Sequence, residues 1–496
     1  MKREKLLKVV IAGGGTAGWM TAAALSKMLG NHVSVTLVES DDIGTVGVGE
    51  ATIPTMQSFH QLLQIDEKEF MRETQATFKL GIQFENWGDN NEKYFHSFGE
   101  TGKEFWAGQF QHLWLRGLSE GLNYTFGDFS PELQAAMQNR FAITQKPRMG
   151  YAYHLDATLY AKYLRKISEA IGLTRIEGKI QHVELNPDDG HIAALALASG
   201  ERVEGDLFID CTGFRALLIG DALHTQYQDW SNFFICDRAV ATQTRSVGEA
   251  IPYTRSIAHQ AGWQWRIPLQ HRVGNGLVYS SQHLADDDAI KLLLDNIEGE
   301  RINEPRVIKF RPGHRAKVWN KNCVAIGLSS GFIEPLESTS IHLISSTIIR
   351  LMRMIPLSGL NQFDVDEFNR QALSELDVIR DFIVLHYKVT RRNDSDFWRY
   401  CRDMEIPDSL KARLDIYKDS GRLYWHADEL FTVNSWNQVM LGQGILPRGY
   451  HPVADAMNSE ELKNYFESYT KGVSAFVQTL PKHHAFVESY CAVKSS

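Results

Sequence analysis

Val9-Val10-Ile11-Ala12-Gly13-Gly14-Gly15-Thr16-Ala17-Gly18-Trp19 decides the fold. Its four leading apolar residues predict a short buried strand. Residues 19–29, rich in Ala, Met and Leu, predict a helix. Residues 33–38 alternate as a second strand, and Glu39 closes it. Gly13-x-Gly15-x-x-Gly18 thus sits at the first turn of a strand–helix–strand unit. Glycines there let the backbone approach a pyrophosphate, and the helix start behind them favours its negative charge. Glu39 can accept hydrogen bonds from ribose hydroxyls and would repel a 2′-phosphate. The plainer reading is a tight turn between strand and helix. The strand, the helix and Glu39 together favour a dinucleotide.

Further along, residues 79–85 alternate, with Leu80, Ile82 and Phe84 on one face, and predict one half-buried strand. Residues 156–171 look helical. Residues 175–210 switch to short strands, with Asn186-Pro-Asp-Asp-Gly190 as a turn between two of them. After Ser340 the chain reads as mostly helical and rich in aromatics.

Asp206-Leu-Phe-Ile-Asp210-Cys-Thr-Gly213 is an apolar strand ending in Asp and then Thr-Gly. It resembles the second FAD contact of flavoprotein hydroxylases, and a strand meander inserted before it fits their architecture. FAD is therefore the expected dinucleotide. The chain has no second GxGxxG for a nicotinamide cofactor, so reduced flavin is expected from outside. The expected fold class is α/β, with a Rossmann-type, flavoprotein monooxygenase-like FAD-binding module. A mostly helical, aromatic-rich substrate module is expected to share one core with it. The boundaries drawn are 1–100 with 150–355 for the FAD module, and 101–149 with 356–496 for the other.

Composition narrows the function classes. In 496 residues, 43% are hydrophobic and 23% charged, which excludes disorder and fibrous repeats. The net charge is −8, without a long basic block, so no nucleic-acid partner is expected. Five scattered cysteines form no CxxC pair, so no metal or redox dithiol is expected. No apolar run is long enough to span a membrane. Lys2, Arg3 and Lys5 before an apolar stretch loosely mimic a signal peptide, but Lys8 and three glycines interrupt it. A cytoplasmic location is the expectation.

Other motifs fall in order along the chain. They are Gly47-Val48-Gly49-Glu50-Ala51-Thr52-Ile53-Pro54, Phe78-Lys79-Leu80-Gly81, Trp263-Gln264-Trp265-Arg266-Ile267-Pro268 and Glu334-Pro335-Leu336-Glu337-Ser338-Thr339. With residues 13–19 they resemble the flavin-dependent tryptophan halogenases, over residues 13 to about 341. The WxWxIP signature is the specific part, because it separates these enzymes from monooxygenases.

The resemblance implies that reduced FAD, O2 and halide give hypohalous acid, which halogenates an electron-rich arene. It implies cofactor contacts from Gly13, Gly15, Thr16, Ala17, Gly18, Glu39, Gly49, Glu50, Ala51, Ile180, Asp210, Leu328 and Ile341. Lys79 matches the family lysine, which either holds hypohalous acid by a hydrogen bond or becomes a haloamine. An ammonium is a good donor, and a buried lysine can lose its proton and become nucleophilic. The plainer reading is a surface lysine on a strand. Glu337 matches the family glutamate, which stabilises the cationic arene and can accept its proton. Glu334 competes for that role, but the motif places the carboxylate just before Ser-Thr. The plainer reading for either is a carboxylate at a helix start.

The amides of Thr339 and Ser340 would hold halide at the start of a helix. Well-known family members have Gly where this chain has Ser340, and a backbone donor survives that change. Trp263 and Trp265 share a strand face and would keep a substrate away from the flavin. His96 and Phe98 would flank an indole, with Ser338 and Trp436 as further substrate contacts.

In the last third the resemblance fails. The Tyr-Tyr pair, the Glu and the Phe-Trp pair that grip tryptophan have no counterpart in Leu430-Phe431-Thr-Val-Asn-Ser435-Trp436-Asn-Gln-Val439-Met440. The expected substrate is indole or another electron-rich arene rather than free tryptophan, with bromide or chloride as the halide. The alternatives are a flavin-dependent aromatic monooxygenase and a non-catalytic flavoprotein. The expected partners are an NADH-dependent flavin reductase and a small aromatic substrate, and a homodimer stays open.

Overall fold

The structure is a computed structural model that describes residues 6–41, 49–105, 108–426 and 429–491. Gly47 and Val48, together with Lys2, Arg3 and Lys5, lie outside the described residues. Contacts divide the chain into two units. One comprises Met1–Ala76, Leu155–Ser231 and Phe310–Leu376, and the other Thr77–His154, Asn232–Lys309 and Asp377–Ser496.

In the first unit the opening motif forms β1 (Leu7–Ala12), α1 (Thr16–Leu29) and β2 (Val33–Glu39). These strands lie in a six-stranded sheet ordered Trp319–Asn320, Cys323–Ala325, Leu207–Asp210, β1, β2, Thr174–Glu177. All neighbours are parallel except Trp319–Asn320. Parallel strands covered on both faces read as apolar runs, and Val9 to Ala12 are at most 1% exposed. The expected meander is a separate three-stranded sheet of Ile180–Leu185, Ile192–Leu197 and Arg202–Glu204, with Asn186–Gly190 as its first turn. The Ala157–Ala170 helix forms as expected, because Asp156 caps it through the amides of Thr158 and Leu159.

The second unit is built on a seven-stranded sheet. Its order is Arg306–Lys309, Arg238–Thr244, Val273–Tyr279, Gly262–Pro268, Thr254–His259, Gly81–Glu85, Lys93–Ser97. Only the pair Thr254–His259 and Gly81–Glu85 is parallel. A Cβ at Gly276 would collide with the ring of Trp265 on the neighbouring strand, so this glycine makes room for an indole. Helices Phe110–Ser119 and Ser459–Thr479 pack with Phe126 and Phe129 through Phe110 and Phe466.

Two expectations differ from this picture. The boundaries at 100, 150 and 355 do not coincide with the units: residues 77–100 belong to the second unit and 356–376 to the first. Beside its many helices, the second unit carries a sheet that collects strands from 81–97 and 238–309. The single strand expected over residues 79–85 is two strands, Thr77–Lys79 and Gly81–Glu85, which join different sheets. Among the described residues, no helix is long and apolar enough to cross a membrane.

Candidate active site

The nucleotide cradle lies at the C-terminal ends of β1 and β2. Gly13 has φ +103°, and a Cβ there would strike the Cys211 carbonyl. A Cβ at Gly18 would strike the Gly13 carbonyl. Gly15 differs: its φ of −75° suits any residue, and a Cβ would meet nothing within 4 Å. Neither backbone nor packing requires glycine at Gly15, so the open space beside it is what the residue preserves. No side chain caps α1, so its first amides stay available to an anion. This cradle fits the pyrophosphate of FAD.

Glu39 ends β2, and its Oε1 accepts from Arg175 Nε at 2.7 Å. Oε2 is left toward Gly14, where a Cβ would overlap it. Asp210 is different. Its Oδ1 accepts from the amide and hydroxyl of Thr212, and Oδ2 from the amides of Leu218 and Ile219. Both oxygens of Asp210 are thus engaged within the turn that follows it. Its carbonyl accepts from Ile326 N, and Ser329 Oγ donates to it as well, tying down the turn that carries Leu328. Gly327 of that turn backs onto Ala17 of α1. Ile180 opens the meander, two residues after Gly178, whose amide donates to Glu39 O. Gly49, Glu50 and Ala51 form a short strand, and burial pushes the Glu50 carboxyl up to about 7.

The turn before the Ser340–Arg353 helix holds Glu334, Glu337, Ser338 and Thr339, all at most 5% exposed. Ser338 has φ +60°, a left-handed conformation uncommon outside glycine, between the carboxylate and the helix start. Thr339 is the N-cap residue, and its side chain makes no capping hydrogen bond. The first amides of this helix, Ser340 and Ile341 among them, therefore have no side-chain acceptor at the cap.

Lys79 lies in the second unit and is 0% exposed, not a surface lysine. Its neighbours are pinned on both sides: Phe78 N donates to His483 Nε2, and Leu80 N donates to Pro252 O at 2.7 Å. Phe98 N donates to Leu80 O, and the Lys79 Nζ stands 4.9 Å from the centre of the Phe98 ring.

The tryptophan halogenase family profile matches residues 8–459. The chain is 33% identical to tryptophan 7-halogenase RebH of Lentzea aerocolonigenes, over 97% of this chain and 98% of that one. The chain belongs to the tryptophan halogenase family. Among solved structures it resembles Xcc4156, a flavin-dependent halogenase from Xanthomonas campestris, with 54% identity, 99% of each chain covered and a TM-score of 0.97. BrvH, a flavin-dependent halogenase from Brevundimonas sp. BAL3, shares 42% identity over 98% of this chain and 99% of that one, with a TM-score of 0.94. The protein is thus a flavin-dependent halogenase, an oxidoreductase that works with FAD and halide.

In this halogenase an aromatic cluster gathers around His96. Its ring lies 5.5 Å from Phe382, 6.2 Å from Phe431 and 6.4 Å from Phe98. Phe382 stacks on Phe431 at 3.8 Å and meets Trp436 edge-on at 4.9 Å. Trp436 is 1% exposed, and the Arg413 guanidinium lies 4.2 Å over its ring. Arg413 in turn grips both oxygens of Glu429. The Val433–Gly442 helix fixes the Phe98 loop through Gln438 on the Ser97 amide and Asn434 on Gly99 O. His96, Phe98 and Trp436 thus lie in one aromatic cluster. Phe382, Arg413 and Glu429 escape a reading of the sequence, because no local pattern marks residues that tertiary packing brings together from separate elements. Trp263 and Trp265 lie buried on one strand, 6.1 Å apart.

Proposed function

We propose that this enzyme uses reduced FAD, O2 and bromide or chloride to form hypohalous acid, and halogenates indole or another electron-rich arene in preference to free tryptophan. The observation that carries this reading is a fully buried lysine whose ammonium stands over an aromatic ring beside a wall of four further aromatic side chains. Burying an ammonium is costly, so its retention among aromatics argues for use. Bound reduced FAD supplies, with O2, the oxidising power that turns halide into hypohalous acid.

The chain's own residues do the rest. Gly13, Gly15, Thr16, Ala17 and Gly18 cradle the pyrophosphate, and Glu39 accepts from ribose. Gly49, Glu50, Ala51, Ile180, Leu328 and Ile341 complete the cofactor site, with Asp210 acting through its turn. The amides of Thr339 and Ser340 hold the halide. Lys79 presents the halogen, either by donating a hydrogen bond to hypohalous acid or, as the free amine, by carrying it. Glu337 stabilises the arene cation and takes its proton, so that aromaticity returns. His96, Phe98 and Trp436 wall the arene, with Ser338 a further contact. Flavin chemistry is assigned to the first unit and arene binding to the second.

The single dinucleotide fingerprint supports a separate NADH-dependent reductase as the electron source. Five buried cysteines, none in a disulfide, support a reducing cytoplasmic location. Lys79→Ala tests the reading. With reductase, bromide and indole present, halogenated product is expected to be lost while reduced flavin is still consumed. Hydroxylated indole, with halide incorporation absent, would favour the monooxygenase instead.

A further inference from the structure

His154 is 0% exposed and lies on the strand Ala152–Asp156. That strand runs antiparallel to Thr77–Lys79, with His154 opposite Thr77 and Ala152 opposite Lys79. Residues two apart on a strand share a face, so Thr77, Lys79 and His154 lie on one side of this pair. The histidine has no part in the chemistry above.

Its hydrogen bonds fix where the protons are. Thr77 Oγ1 donates to the Pro268 carbonyl at 2.7 Å. A hydroxyl has one proton, so toward His154 Nδ1, 3.2 Å away, Thr77 can only accept. Nδ1 therefore carries the ring proton. Nε2 is then the acceptor for the Thr254 hydroxyl, 2.9 Å away. Burial, and then the charges of Lys79 and His483, hold the ring well below its ordinary pKa, which agrees with this neutral tautomer. The chain of donors runs Thr254 to His154 to Thr77 to Pro268. Both of its ends belong to the seven-stranded sheet, and Pro268 is the last residue of the WxWxIP motif.

We propose that His154 and Thr77 are positioning residues that lock the Lys79 strand in register against the strand carrying Trp263 and Trp265. A proline lacks an amide proton but keeps its carbonyl, and here that carbonyl anchors the lysine strand. The motif thereby acquires a task besides filling space with indoles. A neutral ring also avoids setting a second positive charge beside the ammonium. The inference rests on the reading of Lys79 as the residue that presents halogen to the arene.

Thr77→Val and His154→Phe break the donor chain, and His154→Asn keeps a donor for Thr77. The assay uses reductase, bromide and indole, and reads four quantities: brominated product per reduced flavin consumed, escaped hypobromous acid caught by a phenol trap, indole KM, and melting temperature. Thr77→Val and His154→Phe are expected to lower product per flavin by about ten-fold or more, with trapped acid rising to match. Flavin consumption and indole KM should stay within about three-fold of the parent enzyme, and His154→Asn should recover much of the coupling. Lys79→Ala runs beside them. If it keeps its coupling, the reading of Lys79 itself falls. If it loses coupling while the two broken-chain variants keep theirs, only the positioning inference falls. Parallel loss of flavin consumption and melting temperature in those variants would mark a purely structural role and overturn the inference.

Discussion

Gly15 separates a cofactor cradle from a tight turn at the scale of one residue. Gly13 and Gly18 are demanded by the carbonyls they face, whereas Gly15 faces open space. Gly15→Ala should therefore leave the melting temperature of the apoprotein unchanged and weaken FAD, followed by flavin fluorescence, by about ten-fold or more. Unaltered FAD affinity would remove the cradle. A second residue carries a pH dependence. Glu132 is 3% exposed, its Oε1 accepts from Gly150 N at 2.8 Å, and its carboxyl occupies the space a Cβ on Gly99 would need. Glu100 and Tyr469 also face it. Burial, opposed by the Gly150 amide and reinforced by Glu100, pushes this carboxyl from 4.5 to about 7. Between those values the folded chain holds a proton that the unfolded chain has released. Stability should fall as pH rises through that window, by up to ~3 kcal/mol. Glu132→Gln should flatten this part of the curve of urea midpoint against pH, and an unaltered slope would place the proton elsewhere.

Among elements, the Ser340–Arg353 helix is latched to its surroundings by His342. Nδ1 meets Thr55 Oγ1 at 3.0 Å, at the start of the Thr55–Leu62 helix, and Nε2 meets Glu375 Oε1 at 2.9 Å. Ser346 and Arg350 donate to the other Glu375 oxygen. Burial alone would raise this carboxyl; the hydrogen bond and charge of His342, with Arg350, outweigh it and hold it at about 2, below its ordinary 4.5. The stabilisation is complete above the ordinary value and is lost as pH falls toward the depressed one. Glu375→Gln should therefore lower the melting temperature at neutral pH and narrow its gap from the parent near pH ~3. A gap that holds constant with pH would deny the carboxylate this role. These contacts also show what the sequence carries and what it does not. The β1–α1–β2 unit is legible because period, glycines and Glu39 are all local. The break at Leu80 is not, since it exists only because Thr77–Lys79 and Gly81–Glu85 find different partner strands. Lys79 and Glu337 could be placed through their motifs, but the latch of Thr55, His342 and Glu375 is set by helix packing, which no short pattern encodes.

For the whole molecule the question is which arene is taken. The charged groups against the aromatic cluster already satisfy one another: Arg413 grips Glu429 with two hydrogen bonds and lies over the Trp436 ring. To hold a free amino acid there, the enzyme would have to break that pair or bury an ammonium and a carboxylate without partners. Either costs several kcal/mol, on the order of the penalty for an uncompensated buried charge. Indole brings no such charges, and its electron-rich carbons can still approach the lysine. With only ring contacts to orient it, reaction should follow intrinsic reactivity and favour C3. Bromide should compete at least equally with chloride, because hypobromous acid is the more reactive electrophile. A competition with equal indole and tryptophan, supplied with reductase and bromide and read by mass spectrometry and NMR, should give mainly 3-bromoindole. Tryptophan halogenated cleanly at one benzo-ring carbon, with indole untouched, would mean that Arg413 and Glu429 part to clamp the amino acid, and this account of selectivity would fail.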